Sequence, residues 1–212
     1  MGIFNKKGMP GGRVSLPFPV YFVRHGQTDW NASRRFQGHS DIPLNENGRA
    51  QASRNGLRLR DHVGDLHRMT FVASPLSRAR ETLEIIRLAL KLPARRYKVD
   101  DRLIEIDLGD WNGKTPDEIN AEGNGAFDKR EEDKWSFVVP GGESYADASE
   151  RTREFLIDLK AEMRGPALVV GHGASGRLLR GYLRNMKRDE IPHLKARQDV
   201  AYRLYQGKEK EL

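Results

Sequence analysis

Short apolar runs alternate along this chain with longer segments of mixed polarity. Val20-Tyr21-Phe22-Val23 is continuous, apolar and rich in β-formers, which predicts a buried strand. Residues 45–60 carry helix formers and a polar face, and Met69–Ala73 reads as a second strand. Leu76, Ala79, Leu83, Ile86 and Leu90 then recur at spacings of 3, 4, 3 and 4, the clearest amphipathic helix in the chain. Glu143–Met163 predicts a further helix with Phe155, Leu156, Leu159 and Met163 as its apolar stripe. Gly165-Pro166 introduces a third buried strand at Ala167–Val170. Gly173–Leu183 reads as a helix and Val200–Tyr205 as a last strand. Strands alternating with helices predict an α/β fold with a largely parallel sheet.

Two segments break the pattern. Residues 1–19 hold four Gly, three Pro and no acid, and read as a flexible basic tail rather than a secretion signal. Residues 20–212 are then a single catalytic α/β domain. Within it, residues 109–142 are rich in Gly, Asp, Asn and Pro but hold Trp111, Phe127, Trp135 and Phe137. They predict a partly helical excursion that caps one end of the sheet.

Composition narrows the chemistry. The 212 residues carry 37 Lys plus Arg against 30 Asp plus Glu, a net charge of +7, with 25 Arg and 12 Lys. Lys6, Lys7 and Arg13 of the tail supply three of these charges. The absence of cysteine excludes disulfide scaffolds, thiol nucleophiles and Cys-based zinc sites. No apolar run is long enough to span a membrane, and the expectation is a cytoplasmic protein. The basic excess points to an anionic partner without naming one.

Three predicted strands end alike. The first runs into Arg24-His25-Gly26, the second into Ser74-Pro75-Leu76-Ser77-Arg78, and the third into Gly171-His172-Gly173. Ligands of open α/β sheets sit beyond the carboxyl ends of the strands, so Arg24, His25, Arg78 and His172 converge on one crevice. Two arginines suit a metal poorly and a tetrahedral dianion well, because their forked donors match phosphate oxygens. No metal and no cofactor are therefore expected. Imidazole is a competent nucleophile, and neighbouring cations keep His25 neutral. A leaving alkoxide needs a proton. Glu105 lies between apolar neighbours that would raise its pKa, and Asp107 lies on the same face by period-2 alternation.

With these residues in view, the chain resembles the histidine phosphatase superfamily, which contains the cofactor-dependent phosphoglycerate mutases. The resemblance rests on Arg24-His25-Gly26-Gln27-Thr28-Asp29-Trp30-Asn31 and on the run Phe36-Gln37-Gly38-His39-Ser40-Asp41-Ile42-Pro43-Leu44. It continues through Ser74–Thr82, Leu103-Ile104-Glu105 with Gly109-Asp110-Trp111, Pro140–Ser144 and Gly171-His172-Gly173, in family order over residues 20–183. It implies a three-layer α/β/α fold with a mostly parallel central sheet, phosphoglycerate mutase-like. It implies His25 as nucleophile, a phosphate pocket of Arg24, Arg78, His172 and Asn31, and Glu105 rather than Asp107 as proton donor. Gln37, Gly38 and Gly173 are implied on the substrate side. Asn112 departs from the Glu that follows the Trp in many relatives.

The 67 positions from Glu105 to His172 leave less room than the mutase insertion, and Pro140–Ser144 has the form common among phosphatase-like members. The expected activity is therefore metal-independent hydrolysis of a small phosphomonoester through a phosphohistidine. A phosphoglycerate mutase is the alternative, and a non-catalytic phosphate- or phosphoprotein-binding protein is the rival from another class. The expected partner is a small phosphorylated metabolite, not nucleic acid or membrane, and a homodimer is compatible with the sequence. His39, His62, His67 and His193 read as surface or structural residues. Arg34, Arg35, Arg49, Arg54, Arg58, Arg60 and Arg68 read as solvated faces rather than a patch.

Overall fold

Period-2 alternation lets each inner strand serve two apolar layers. The computed structural model describes residues 8–123 and 125–212. Its sheet holds strands β1 (Val20–Arg24), β2 (Thr70–Ala73), β3 (Lys98–Val99), β4 (Ala167–Gly171), β5 (Ala201–Tyr205) and β6 (Lys208–Glu211). They lie in the order β3-β2-β4-β1-β5-β6. The first four are mutually parallel, β5 runs antiparallel to β1, and β6 runs antiparallel to β5. Val20 and Phe22 face one core, and Tyr21 and Val23 face the other.

Four long helices cover the two faces. Helices α2 (Glu46–Arg60) and α3 (Ser77–Ala89) bury Leu59, Ala79, Leu83 and Ile86 with Tyr21 and Val23. Helices α6 (Tyr145–Glu162) and α7 (Gly173–Arg184) bury Phe155, Leu156, Leu178 and Leu179 with Phe22. The result is the expected three-layer α/β/α arrangement. Short helix α1 (Asp29–Ala32) follows β1. Residues 109–142 hold a 3₁₀ turn at Gly109–Trp111 and helices α4 (Pro116–Glu122) and α5 (Ala126–Glu132). This excursion is tied down by Trp111, which packs against Phe36, Phe127 and Phe137 at ring separations of 6.3, 6.4 and 5.7 Å.

Three readings of the sequence need correction. Val200–Tyr205 is not the last strand. Gln206 and Gly207 have φ of 50° and 81°, a backbone suited to a tight hairpin, and lead into β6. That strand reads Lys-Glu-Lys-Glu and has no apolar position for patterning to detect. The second omission, β3, is a two-residue edge strand with both residues exposed. The third concerns the tail. Lys6 and Lys7 lie outside the described residues, but residues 8–19 do not run free. Met9 and Val14 are buried in the α6–α7 core, and Leu16 and Phe18 pack against it. Apolar side chains spaced among the Gly and Pro residues are enough to hold an irregular segment on an apolar face.

Candidate active site

Strand register levels the reactive ends of the sheet. Arg24 lies opposite Gly171, and Ala73 lies opposite Val170. His25 and His172 therefore leave adjacent strands at one height, and Ser74, on the other side of β4, is level with Gly171. The turn after β1 is held closely. The Gly26 N–H donates to Thr82 Oγ1 at 3.0 Å, and the His25 N–H donates to Gly171 O at 2.9 Å. A Cβ on Gly26 would overlap Gly48 O of α2, and one on Gly48 would overlap Gln27 O. Two glycines thus allow helix and turn to meet backbone to backbone.

His25 is 2% exposed, and its Nδ1 lies 2.7 Å from Gly26 O. A carbonyl can only accept, so Nδ1 carries the proton and Nε2 keeps its lone pair. Burial, His172, Arg24 and Arg78 together hold the His25 pKa well below 6.5. The His172 ring is 5.1 Å away, centroid to centroid. His172 is likewise kept neutral by burial and by Arg78 and Arg24, and its Nε2 meets Ser74 Oγ at 2.6 Å.

The two arginines are tethered with a nitrogen to spare. Arg78 donates from Nη1 to Ser40 O at 2.6 Å and from Nη2 to Gly38 O at 2.8 Å. Arg24 donates from Nη1 to Ala196 O at 2.8 Å. The Nε of each is buried without a protein partner among the described residues. Burial and Arg177 lower the Arg24 pKa to about 10, and Glu105 opposes them. Asn31 is fixed by a capping box with Thr28, and its Oδ1 accepts from Gln198 Nε2 at 2.9 Å. The same Gln198 nitrogen donates to His25 O at 3.1 Å.

Glu105 occupies the amino terminus of α7. Its carboxylate accepts from the N–H groups of Gly173 at 2.8 Å, Ala174 at 3.0 Å, Ser175 at 3.1 Å and Ile106 at 3.0 Å. Burial pushes this carboxyl up, but those N–H groups and the Arg24 charge outweigh it, and its pKa lies below the ordinary 4.5. This corrects the expectation of a raised value. The apolar flanks of Glu105 are visible in sequence, whereas the helix end from a segment almost 70 residues later is not. Asp107 turns elsewhere and accepts from the Gly109 N–H at 2.9 Å.

Arg24, His25, Asn31, Gln37, Gly38, Arg78, Glu105 and Gly173 all line one cavity of about 330 Å³. His172 lies immediately beneath it, against His25. Gly38 has φ of 44°, and a Cβ there would stand 2.6 Å from Asn112 Oδ1, so Asn112 contacts the Gln37–Gly38 turn from outside the cavity. Sequence reasoning missed four neighbours. Ser74 and Thr82 brace His172 and Gly26, and Gln198 links His25 to Asn31. The fourth, Arg177, donates from Nε to Leu194 O at 2.6 Å and from Nη1 to the Tyr145 hydroxyl at 3.3 Å. It lies one helical turn beyond Gly173, a spacing that places both on one face of α7. The remaining lining includes Phe36, Leu108, Phe127, Arg130, Glu131 and Lys134, the last four from 127–134.

Known proteins resemble this chain in sequence and fold. The model of the histidine phosphatase superfamily (branch 1) matches residues 20–210. A probable phosphoglycerate mutase of Salmonella paratyphi C is 36% identical over 155 residues, 73% of this chain and 69% of the relative. A mycobacterial glucosyl-3-phosphoglycerate phosphatase, solved with VO3, is 29% identical and aligns over 92% of this chain and 96% of its own with a TM-score of 0.77. YhfR of Bacillus stearothermophilus is 30% identical over 92% of this chain and 95% of its own, with a TM-score of 0.73.

Proposed function

The chain belongs to the histidine phosphatase superfamily (branch 1) and is an enzyme, and from that premise we propose that it hydrolyses a small phosphomonoester through a phosphohistidine at His25. The observation that carries this reading is the state of His25. It is neutral, its Nδ1 is committed to Gly26 O, and it lies among Arg24, Arg78 and His172. A nucleophile with a free lone pair beside fixed cations is matched to phosphorus carrying negative oxygens.

In the first step Nε2 of His25 attacks phosphorus and the ester P–O bond breaks. Arg24, Arg78, His172 and Asn31 hold the phosphoryl oxygens, and Gln37, Gly38 and Gly173 bound the substrate. The leaving oxygen takes a proton from Glu105. An incoming phosphate dianion raises the Glu105 pKa by like-charge repulsion, so the carboxyl gains a proton as substrate binds. In the second step Glu105 accepts a proton from water, the water oxygen bonds to phosphorus, and the P–N bond breaks to release phosphate. The substrate is a small phosphorylated metabolite of the cytoplasm, with no metal in the mechanism.

Brief mixing with a radiolabelled phosphomonoester should leave acid-labile, base-stable label on His25. His25→Ala should abolish that label and lower turnover by roughly four orders of magnitude or more. Normal turnover in that variant would sink the proposal. The relative of Salmonella paratyphi C favours a second reading, phosphoryl transfer between hydroxyls of a phosphoglycerate. A coupled assay for isomerisation of 3-phosphoglycerate, primed with bisphosphoglycerate, separates it from phosphate release.

A further inference from the structure

A segment of irregular chain meets the proposed phosphate pocket through its backbone. Residues 194–198 belong to no helix or strand. Three successive carbonyls there accept guanidinium donors. Leu194 O accepts from Arg177 Nε at 2.6 Å, Lys195 O from Arg180 Nη1 at 2.5 Å and Ala196 O from Arg24 Nη1 at 2.8 Å. Gln198 then supplies the amide that joins His25 O to Asn31. Arg24 and Arg177 line the cavity, whereas Arg180 does not.

Arg180 anchors this row from behind. Its side chain is 3% exposed and lies 3.7 Å over the Tyr202 ring. Glu209 accepts from its Nε at 2.8 Å and from its Nη2 at 2.7 Å, a bidentate pair that leaves Nη1 for Lys195 O. The Tyr202 hydroxyl accepts from the Arg197 N–H at 3.0 Å and donates to Lys195 O at 3.3 Å. Glu209 belongs to β6, whose Lys-Glu-Lys-Glu pattern has no apolar side chain to bury. Period-2 alternation puts Glu209 and Glu211 on one face, and Glu211 reaches Arg197 Nη1 at 3.4 Å. A buried ion pair is seldom more stabilising than apolar residues of similar volume. Its particular effect here is a fixed donor at Lys195 O. Arg24 depends on the same row. Among the described residues its side chain makes one hydrogen bond, to Ala196 O, and its Nε has no partner. Arg78 is tethered independently, to Gly38 O and Ser40 O.

Building on the proposed function, we infer that Arg180, clamped by Glu209 of the charged strand β6, is a positioning residue for the phosphate pocket: it fixes the carbonyls of 194–196, and through Ala196 O it sets the orientation of Arg24. The carboxyl-terminal hairpin is then part of the machinery that binds phosphate, although none of its residues lines the phosphate pocket.

The test reads the inhibition constant of inorganic phosphate against para-nitrophenyl phosphate, a quantity that does not depend on the amount of folded enzyme. Arg180→Met combined with Glu209→Gln removes both charges of the pair and leaves neither one buried alone. This double variant should raise the inhibition constant by about 5- to 30-fold, the effect of misdirecting one charged hydrogen bond. Arg180→Lys, which keeps the charge but not the fork, should raise it less, and it carries the same comparisons if the double variant does not fold. The factor should fall below about twofold when Arg24 is already Gln, and should persist in full when Arg78 is Gln, because only Arg24 hangs on the row. An unchanged inhibition constant in the double variant, or an equal factor in the Arg24→Gln and Arg78→Gln backgrounds, overturns the inference. Failure of the proposed function looks different, since then the wild type itself would not label His25.

Discussion

Glu105 must serve two states. Without substrate it is a carboxylate held by four backbone N–H groups and Arg24. To protonate a leaving alkoxide it must be a carboxylic acid. The helix terminus that stabilises the charge therefore opposes the chemistry until phosphate arrives and reverses the balance. This predicts a dependence on the leaving group. Glu105→Gln should slow an alkyl phosphate by about 10²- to 10⁴-fold, because its alkoxide cannot leave unprotonated. The same variant should slow para-nitrophenyl phosphate far less, because nitrophenolate leaves without a proton. Steady-state kinetics on the two esters checks this, and an equal loss on both would remove Glu105 from the role of acid. The lowered pKa also predicts proton uptake when inorganic phosphate binds. Calorimetry in buffers of different ionisation enthalpy should show it in the wild type and not in Glu105→Gln.

At the scale of elements, the site depends on contacts between pieces far apart in sequence. The turn after β1 rests on α2 through Gly26 and Gly48, with no side chain between them. Gly48→Ala improves helix propensity by up to about 1 kcal/mol, yet it places a methyl against Gln27 O. The clash should dominate, destabilise the fold by about 1–3 kcal/mol in urea unfolding and lower kcat by shifting His25. An unchanged kcat with unchanged stability would mean that the turn is not held by this contact. The same dependence explains what sequence could and could not disclose. The strands β1, β2 and β4 were legible because they bury both faces and so read as continuous apolar runs, and the helices α2, α3, α6 and α7 because each buries one apolar face; their ends located Arg24, His25, Arg78 and His172. Glu105 and Asp107 were not separable by period, because the choice is made by the amino terminus of α7. Ser74, Thr82, Arg177 and Gln198 act through folded proximity rather than through local pattern. Charged β6 and the two-residue β3 bury too little to leave a periodic trace.

At the scale of the whole molecule, the basic excess divides into local settlements rather than a broad cationic surface. Arg49 pairs with Glu81 and Arg35 with Glu118, while Arg24, Arg78 and Arg177 are committed to the cavity. Concentrating cations around two buried imidazoles has a consequence for stability. His25 and His172 both titrate well below 6.5 in the folded chain, whereas in the unfolded chain they return to the ordinary value. Between those limits the unfolded state binds more protons, so stability rises with pH. The contribution is complete above 6.5 and is lost as pH falls below it, at up to about 1.4 kcal/mol per pH unit for each imidazole held neutral. Glu105 is depressed as well, but its share is lost only at more acid pH, below the ordinary 4.5. The interval from about pH 6.5 to 5 therefore isolates the histidines. Urea midpoints should fall steadily across that interval and level off above it. His172→Gln should reduce the slope by about half, because one of the two imidazoles no longer titrates. A wild-type midpoint that stays flat from pH 7.5 to 5 would mean that both rings take up protons in the folded state, and His25 would then lack the lone pair that the phosphohistidine requires.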